Sequence, residues 1–386
     1  MARLGEICKF QSGGTPSKGE PSYFNGNIPW ITTVALNGSI IDESYAVDWI
    51  TEKAIEKSAA KVVPANSIMV GTRVGVGKVA INKVPMSTSQ DIISLLDIDE
   101  SKWSKEFICK FILGKATYLN SQARGATIKG IKIETLAGLQ LPDIPLEQQC
   151  KIATAIDAVN NLIALRKEQF TKLDQLVKSR FIELFGMPGV DDFGWGLVLL
   201  GSVCHINPKK SQDTRLGSGI EVSFVPMPAV TEHGEIDATS IKEYDEVKTG
   251  FTYFAENDVL FAKITPCMEN GKGAVARGLH NGIGFGSTEF HVLRPISGKS
   301  NPYWIYTLTA FSQFREDAAS NMTGSAGQRR VPASFLENYR VALPPIELQE
   351  QFAAFVEQTE KTKLAIQQSL DKLELLKKSL MQQYFG

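Results

Sequence analysis

Two glycine-rich turns carry the basic side chains that are best suited to binding an anion. Their sequences are TRVGVGKVA at 72–80 and MENGKGAVA at 268–276. Glycine lets a chain approach a partner closely, so Arg73, Lys78 and Lys272 could meet phosphate groups or the edge of guanine. The alternative is an ordinary β-hairpin turn with solvated lysines. The turns are therefore candidates for nucleic-acid contact.

No residue pattern in the sequence supports catalysis or metal binding. The segment GGTPSKGE at 13–20 lacks the spacing of a phosphate-binding loop, so Lys18 would touch a nucleic-acid backbone or belong to a plain turn. The tetrapeptide NPYW at 301–304 is explained by Asn301 as a helix N-cap and Pro302 as the first helical residue. No Ser-His-Asp, Cys-His or paired-carboxylate arrangement and no metal-ligand spacing can be argued. We predict no catalytic residue, no metal and no cofactor bound by this chain.

Charge and composition exclude a globally basic protein. The chain has 386 residues, a formal charge of -1 and a sequence pI of about 6.5, so nucleic-acid affinity would have to come from local patches. The stretches 57–90 and 107–133 contain basic residues and no acid, although acids on neighbouring strands could neutralise them. The length predicts two or three domains. Scattered cysteines, and no apolar run near the ~20 residues of a membrane span, predict a cytoplasmic protein.

The end of the chain repeats an earlier segment at a shift of 200 residues. Segments 145–186 and 345–386 align without a gap, and 11 of the 42 positions are identical. Each begins with proline, ends with Phe-Gly, and has apolar residues at heptad spacing with no internal proline or glycine. We predict two helices, each about 60 Å long. We expect them to pair antiparallel within the chain as a coiled coil, rather than between chains.

The segments that precede these helices also resemble each other. LGEICKF at 4–10 corresponds to LGSVCHI at 200–206, and STSQDIISLL at 87–96 corresponds to GSTEFHVLRP at 286–295. Short β-rich runs with glycine turns and alternating apolar residues are typical of β-strands. We therefore predict two β-rich domains of the same fold.

Each β-rich domain also carries one predicted helical stretch, at about 102–122 and about 302–319. The fold class is α+β: two β-rich domains separated by a long antiparallel two-helix coiled coil, with a pseudo-two-fold internal repeat. The predicted parts are 1–142, 143–187, 188–342 and 343–386.

The order of these features resembles the specificity (S) subunit of type I restriction-modification enzymes. The resemblance rests on the helix starts PLEQQ at 145–149 and PIELQEQ at 345–351, the long helices, and the twice-seen GTRVGVGKVAI-type turn. It covers nearly the whole chain. It implies two target-recognition domains, 1–142 and 188–342, each reading one half of a bipartite site in double-stranded DNA. Segments 143–187 and 343–386 would be the central and C-terminal helical spacers.

The resemblance also implies that catalysis belongs to partner subunits. Two methyltransferase (M) subunits would dock on the helices and transfer a methyl group from S-adenosylmethionine to adenine N6. Restriction (R) subunits can join them to translocate and cleave DNA with ATP and Mg. The helical pair would act as a ruler that holds half-sites about one helical turn, roughly 34 Å, apart.

Residues for DNA contact are predicted from the turns, because arginine and lysine suit guanine while asparagine and glutamine suit adenine. The predicted base contacts are Arg73, Lys78, Ser89 and Gln90 in the first domain, and Lys263, Thr265, Asn270, Lys272, Thr288 and Arg329 in the second. The predicted backbone contacts are Lys18, Lys115, Arg124, Lys129, Lys209, Lys210 and Arg330.

Two other classes of function stay open at this stage. A self-contained DNA methyltransferase would bind S-adenosylmethionine as a purified chain. A coiled-coil scaffold without a DNA role would fail to bind DNA even beside a cognate M subunit.

Overall fold

The computed structural model describes residues 1–125, 129–325 and 327–386, and these form two compact units. Unit 1 comprises Met1–Arg166 and Ser369–Gly386, and unit 2 comprises Lys167–Gln368. Each long helix contributes one part to each unit, so both units contain two helical segments from distant parts of the sequence.

Unit 1 is rich in short strands. Its strands are β1 (Ala2–Arg3), β2 (Lys9–Ser12), β3 (Phe24–Ile31), β4 (Ile40–Ile41), β5 (Asp48–Ile50), β6 (Val62–Val63), β7 (Ile68–Gly71), β8 (Val79–Asn82), β9 (Met86–Thr88), β10 (Ile92–Leu96) and β11 (Gln140–Leu141). Its helices are α1 (Leu4–Ile7), α2 (Glu52–Lys57), α3 (Lys105–Gly114), α4 (Ala116–Gln122), α5 (Ile133–Ala137), the first part of α6 (Leu146–Phe185) and the last part of α11 (Ile346–Phe385).

Unit 2 has the same kind of content. Its strands are β12 (Leu197–Leu199), β13 (Cys204–Ile206), β14 (Glu221–Val225), β15 (Ile241–Glu243), β16 (Thr252–Ala255), β17 (Val259–Ala262), β18 (Gly273–Val275), β19 (Ile283–Gly286), β20 (Phe290–Pro295) and β21 (Arg340–Ala342). Besides the second part of α6, its helices are α7 (Tyr244–Val247), α8 (Pro302–Ala310), α9 (Ser312–Ser320), α10 (Ala333–Asn338) and the first part of α11 (Ile346–Phe385).

The strand order is repeated between the units. The first sheet runs β2-β10-β7-β8-β4 in unit 1 and β13-β20-β17-β18 in unit 2. The second sheet runs β5-β3-β9-β6 and β15-β14-β19-β16, with a parallel central pair, β3/β9 or β14/β19, flanked by antiparallel strands. The antiparallel pairs β1/β11 and β12/β21 join the two ends of each domain. The predicted α+β fold and its internal repeat are confirmed.

A central strand of the first sheet in each unit, β7 or β17, is covered on both faces. Every residue of Ile68–Gly71 and of Val259–Ala262 is buried. Strands buried on both faces read as continuous apolar runs. The apolar residues of these two strands are therefore consecutive, and the predicted alternation is wrong for them.

Helices α6 and α11 have the bounds that the repeat predicts, and they run antiparallel where they meet in unit 2. Lys363 of α11 forms an ion pair with Asp174 of α6, while Phe352 packs on Phe181 with ring centroids 5.6 Å apart. Residues later in α6 therefore contact residues earlier in α11, as antiparallel helices require. In unit 1, the end of α11 places Phe385 in the core.

A buried glutamine joins each long helix to its β-rich domain. Gln149 is 1% exposed; its Oε1 accepts a hydrogen bond from the Ser104 amide at 3.0 Å, and its Nε2 donates to the Lys102 and Ile144 carbonyls, both at 2.9 Å. Gln349 makes the same three bonds in unit 2, with Asn301, Lys299 and Pro344. The glutamine in the repeated Glu-x-Gln helix start therefore docks each long helix onto its β-rich domain.

The predicted helical stretches differ from the structure in one respect. The stretch at 102–122 is two helices, α3 and α4, which meet at Lys115, and the stretch at 302–319 is α8 and α9, which meet at Phe311. In unit 1 the break falls where Gly114 contacts α11: a Cβ on Gly114 would lie 3.2 Å from Cβ of Phe385. In unit 2 the extended backbone of Phe311 interrupts the helix, and its ring packs 5.2 Å from Phe181.

The N-cap interpretation of Asn301 is confirmed. Its Oδ1 accepts a hydrogen bond from the Tyr303 amide at 2.9 Å, and Pro302 is the first residue of α8. Among the described residues, no helix is long and apolar enough to cross a membrane.

Candidate nucleic-acid interface

Three loops of unit 1 are joined at the end of β7. The Thr72 amide donates to the Asp91 carbonyl at 2.8 Å, and the Thr72 carbonyl accepts from the Ile131 amide at 2.8 Å. An antiparallel bridge between Arg124 and Gly130 closes the third loop, of which residues 126–128 lie outside the described part. We call the turn 72–78, the segment 89–91 and the described ends of loop 124–130 the basic loop surface of unit 1.

The same three loops meet at the end of β17 in unit 2. The Lys263 amide donates to the Glu289 carbonyl at 2.9 Å, and the Lys263 carbonyl accepts from the Val331 amide at 2.9 Å. A bridge between Thr323 and Arg330 closes the third loop. The basic loop surface of unit 2 therefore comprises the turn 263–272, the segment 287–289 and the described residues of loop 323–330.

The strand pairing in the structure shifts the correspondence between segments 87–96 and 286–295 by one residue. Aligning 87–96 with 286–295 placed Asp91 opposite Phe290. In the structure the carbonyl that meets the strand end belongs to Asp91 in unit 1 and to Glu289 in unit 2. Each basic loop surface thus has an acidic residue at the same position, a feature that the sequence comparison missed.

The acidic residue pairs with an arginine in both units, but the arginine comes from a different loop. Arg73 of the first turn lies 3.8 Å from Asp91, and its side chain is 52% exposed. Arg330 of the third loop donates two parallel hydrogen bonds to Glu289, from Nη2 to Oε1 at 2.7 Å and from Nε to Oε2 at 2.9 Å. The bonds to Arg330 lower the pKa of the Glu289 carboxyl below its ordinary value. A fork of this kind fixes the guanidinium plane.

A second acidic residue orders the turn of unit 2. Glu269 accepts a hydrogen bond from Oγ1 of Thr265 at 2.9 Å, and Nη2 of Arg329 lies 4.0 Å from it. The Thr265 amide also donates to the Arg329 carbonyl at 3.1 Å. Thr265 and Arg329, which are 64 residues apart in sequence, are therefore neighbours on one surface, as the base-contact prediction requires.

Several other predicted residues lie on or beside the surface of unit 1. Gln90 and Lys129 are exposed on its loops, and Lys78 is exposed at the end of the turn. Lys18 is exposed in the loop that follows β2. That loop touches segment 89–91, because the Gln90 amide lies 3.5 Å from Oγ1 of Thr15. Lys115 sits at the junction of α3 and α4.

In unit 2, Asn270, Lys272 and Thr288 belong to the first two loops of the surface, and Asn270 and Thr288 are exposed. Burial lowers the pKa of the half-buried Lys263 below its ordinary value. Lys209 is exposed in the loop after β13, whereas Nζ of Lys210 donates to the Lys248 carbonyl.

Ser89 is the predicted base contact that the structure does not place at the surface. It is 4% exposed, and its Oγ is buried without a hydrogen-bond partner among the described residues. The reason is close packing of the neighbouring loop: a Cβ on Gly13 would lie 2.2 Å from the Ser89 carbonyl. Direct base contact through this hydroxyl is not compatible with this conformation.

Two units of one fold, each with a basic loop surface, define this chain as an internally repeated protein in which both units share two long helices. The chain belongs to the family of the type I restriction modification DNA specificity domain, whose family model matches residues 1–175 and 193–375. Within the described residues, no group of three or more His, Cys, Asp or Glu side chains could hold a metal ion.

Three similar proteins are named as specificity subunits of type I restriction enzymes. The chain is 44% identical over 155 residues to the Escherichia coli type I restriction enzyme EcoEI specificity subunit, covering 39% of this chain and 25% of that protein. It is 43% identical over 160 residues to the Escherichia coli EcoAI specificity subunit, covering 41% and 26%. The MjaIX specificity subunit of Methanocaldococcus jannaschii is 30% identical over 188 residues, covering 48% and 43%. The matched segments span only about a quarter of the length of the two Escherichia coli proteins.

Solved structures share the fold over the whole chain. The S subunit of a type I restriction-modification system from M. genitalium matches with a TM-score of 0.57 at 13% identity, covering 100% of this chain and 95% of that one. A chain from a structure describing complex assembly and conformational transition of the type I R-M system matches with a TM-score of 0.60 at 19% identity, covering 100% and 96%.

Proposed function

We propose that this chain is the non-catalytic DNA-specificity subunit of a type I restriction-modification complex. Each unit would read one half of a bipartite DNA site through its basic loop surface. The observation that carries the proposal is the duplication of this surface: three loops, joined by equivalent hydrogen bonds, with an arginine paired to an acid at the same position in each unit.

The loop sequences support two different half-sites. The fold, the strand order and the docking glutamine repeat between the units, whereas the exposed residues of the loops differ. Surface arginines and lysines can contact phosphates or guanine, and only base-edge contacts carry sequence information. A shared framework with different loop residues is what two readers of different sequences need.

We assign the four predicted segments their roles on this basis. Segments 1–142 and 188–342 are the two target-recognition domains, and 143–187 and 343–386 are the helical spacers. The helices would hold the half-sites at a fixed separation.

Partner subunits would supply the chemistry and further DNA contacts. Two methyltransferase subunits would dock on the helices, where the side chains of Leu162, Leu165, Leu176, Leu364 and Leu375 are between 45% and 68% exposed. These subunits would bind S-adenosylmethionine, and restriction subunits would use ATP and Mg. A chain with a formal charge of -1 needs such partners, because phosphate contacts dominate DNA affinity.

The test is a genome-wide adenine-methylation map of host cells with and without this gene, in the presence of the cognate methyltransferase subunit. The proposal predicts a split motif that disappears when the gene is deleted. An unchanged map, together with no DNA binding by the purified complex of the two subunits, would reject it. A purified chain that binds S-adenosylmethionine by itself would instead favour a self-contained methyltransferase.

A further inference from the structure

Helix α4 of unit 1 binds the backbone of turn 72–78, which is the first turn of the basic loop surface. Nδ2 of Asn120, on α4, donates to the Val76 carbonyl at 3.0 Å and to the Ala116 carbonyl of its own helix at 2.8 Å. The turn also packs on the start of α4, since a Cβ on Gly77 would lie 3.0 Å from Cα of Ala116. The position of turn 72–78 therefore depends on α4.

A buried arginine does the same in unit 2. Arg315, on α9, is 7% exposed and donates from Nη1 to the Met268 carbonyl at 2.6 Å and from Nη2 to the Gly271 carbonyl at 3.0 Å. Its guanidinium lies 5.3 Å from the ring centroid of Phe261. Both carbonyls belong to turn 263–272.

Burial of the charged Arg315 side chain is energetically unfavourable in itself. No carboxylate among the described residues forms a salt bridge with it, and burial lowers its pKa to about 10. Burying a charged group is unfavourable unless hydrogen bonds compensate. The two turn carbonyls supply hydrogen bonds to Nη1 and Nη2, while Nε is buried without a partner among the described residues. The arginine and the turn conformation therefore stabilise each other.

The two helices occupy equivalent places. Each is the second helix after the last strand of its unit's first sheet, since α3 and α4 follow β10 while α8 and α9 follow β20. The units thus use the same helix, with different side chains, to hold turns of different length. Because the bonds go to main-chain carbonyls, they fix the path of each turn without occupying the turn's own side chains.

We propose that Asn120 and Arg315 are positioning residues that set the half-site preference of their own unit. They hold the turns that carry Arg73 and Lys78 in unit 1, and Thr265, Asn270 and Lys272 in unit 2. This inference rests on the proposed function, in which those turns contact DNA.

The decisive variant is Asn120→Ala, because Asn120 is exposed and its replacement leaves the core intact. Methylation maps are recorded for the variant and the unsubstituted chain, each with the methyltransferase subunit. We expect about tenfold weaker discrimination at one or more base pairs of a single half-site, with the other half-site unchanged. The matched control is Asn338→Ala, which breaks the same kind of helix-internal bond, from Nδ2 to the Ser334 carbonyl at 2.8 Å. The control should leave both half-sites unchanged.

The companion variant is Arg315→Lys, which keeps the charge but not the two-pronged geometry. It should relax the half-site that Asn120→Ala leaves intact. If Asn120→Ala gives the unsubstituted motif, or changes both half-sites alike, the inference is wrong even when the thermal midpoint falls. If the unsubstituted complex gives no split motif at all, the proposed function fails and this inference fails with it.

Discussion

Replacing Gln349 by leucine should destabilise unit 2 strongly, although the two side chains have similar volume. The glutamine is fully buried at the start of α11, where its carboxamide satisfies one amide and two carbonyls of the chain segments before α8 and α11. Leucine leaves all three backbone groups buried without these partners.

The size of the effect follows from those three groups. A buried polar group that loses its partner costs about 1–3 kcal/mol, so we expect the free energy of unfolding of unit 2 to fall by at least about 3 kcal/mol. For a unit of about 200 residues, each kcal/mol lowers the thermal midpoint by roughly 2–4 °C. The midpoint should therefore fall by about 6–12 °C. Thermal unfolding and hydrogen exchange of the Asn301 amide would measure the global and local effects.

The control for this prediction is Gln351→Leu, two residues further along α11 at an exposed position. It makes the same chemical change where no buried network is broken, so its effect should stay within about 0.5 kcal/mol. If Gln349→Leu is no less stable than Gln351→Leu, the docking role of the repeated glutamine is wrong.

Three further perturbations test other parts of the account. Glu289→Gln should release Arg330 for DNA, which makes the slope of log affinity against log salt steeper by about one for the complex with its methyltransferase subunit; an unchanged slope would contradict it. Burial lowers the pKa of His291 below its ordinary value of 6.5, so its stabilising contribution is complete above about pH 6.5 and is lost as the pH falls below that value. Unfolding of His291→Phe should depend less on pH between about 5 and 7 than unfolding of the unsubstituted chain. Insertion of four residues within 162–178 should lengthen the unread spacer and preserve both half-site sequences, whereas a motif with the old spacing would refute the ruler.

The repeat in the sequence was sufficient to predict the architecture. Identical residues at a fixed shift identified both long helices with their correct ends, and short apolar runs between glycine turns identified the matched hairpins. These signals are local, or are copied at a constant distance, so a single sequence reveals them. The role of Gln149 and Gln349 was not visible, because two of the three backbone partners of each glutamine lie more than 40 residues away in sequence.

The details of the basic loop surfaces were harder to predict for the same reason. Glu289 and Arg330 are 41 residues apart, and nothing in either local pattern indicates that they pair. A usable signal did exist, since an acid follows the Ser/Thr-rich turn in both STSQD and GSTE. Ser89 was predicted as a base contact together with the other turn residues, whereas it is 4% exposed and its backbone packs closely against Gly13.

The central claim is that each unit reads one half of a split DNA site through its own basic loop surface. The most direct measurement compares the adenine-methylation maps of Arg73→Ala and Arg329→Ala with that of the unsubstituted chain, all with the same methyltransferase subunit. The account predicts that Arg73→Ala relaxes one half-site and Arg329→Ala relaxes the other. Two variants that alter the same half-site, or that leave the motif and the level of methylation unchanged, would contradict it.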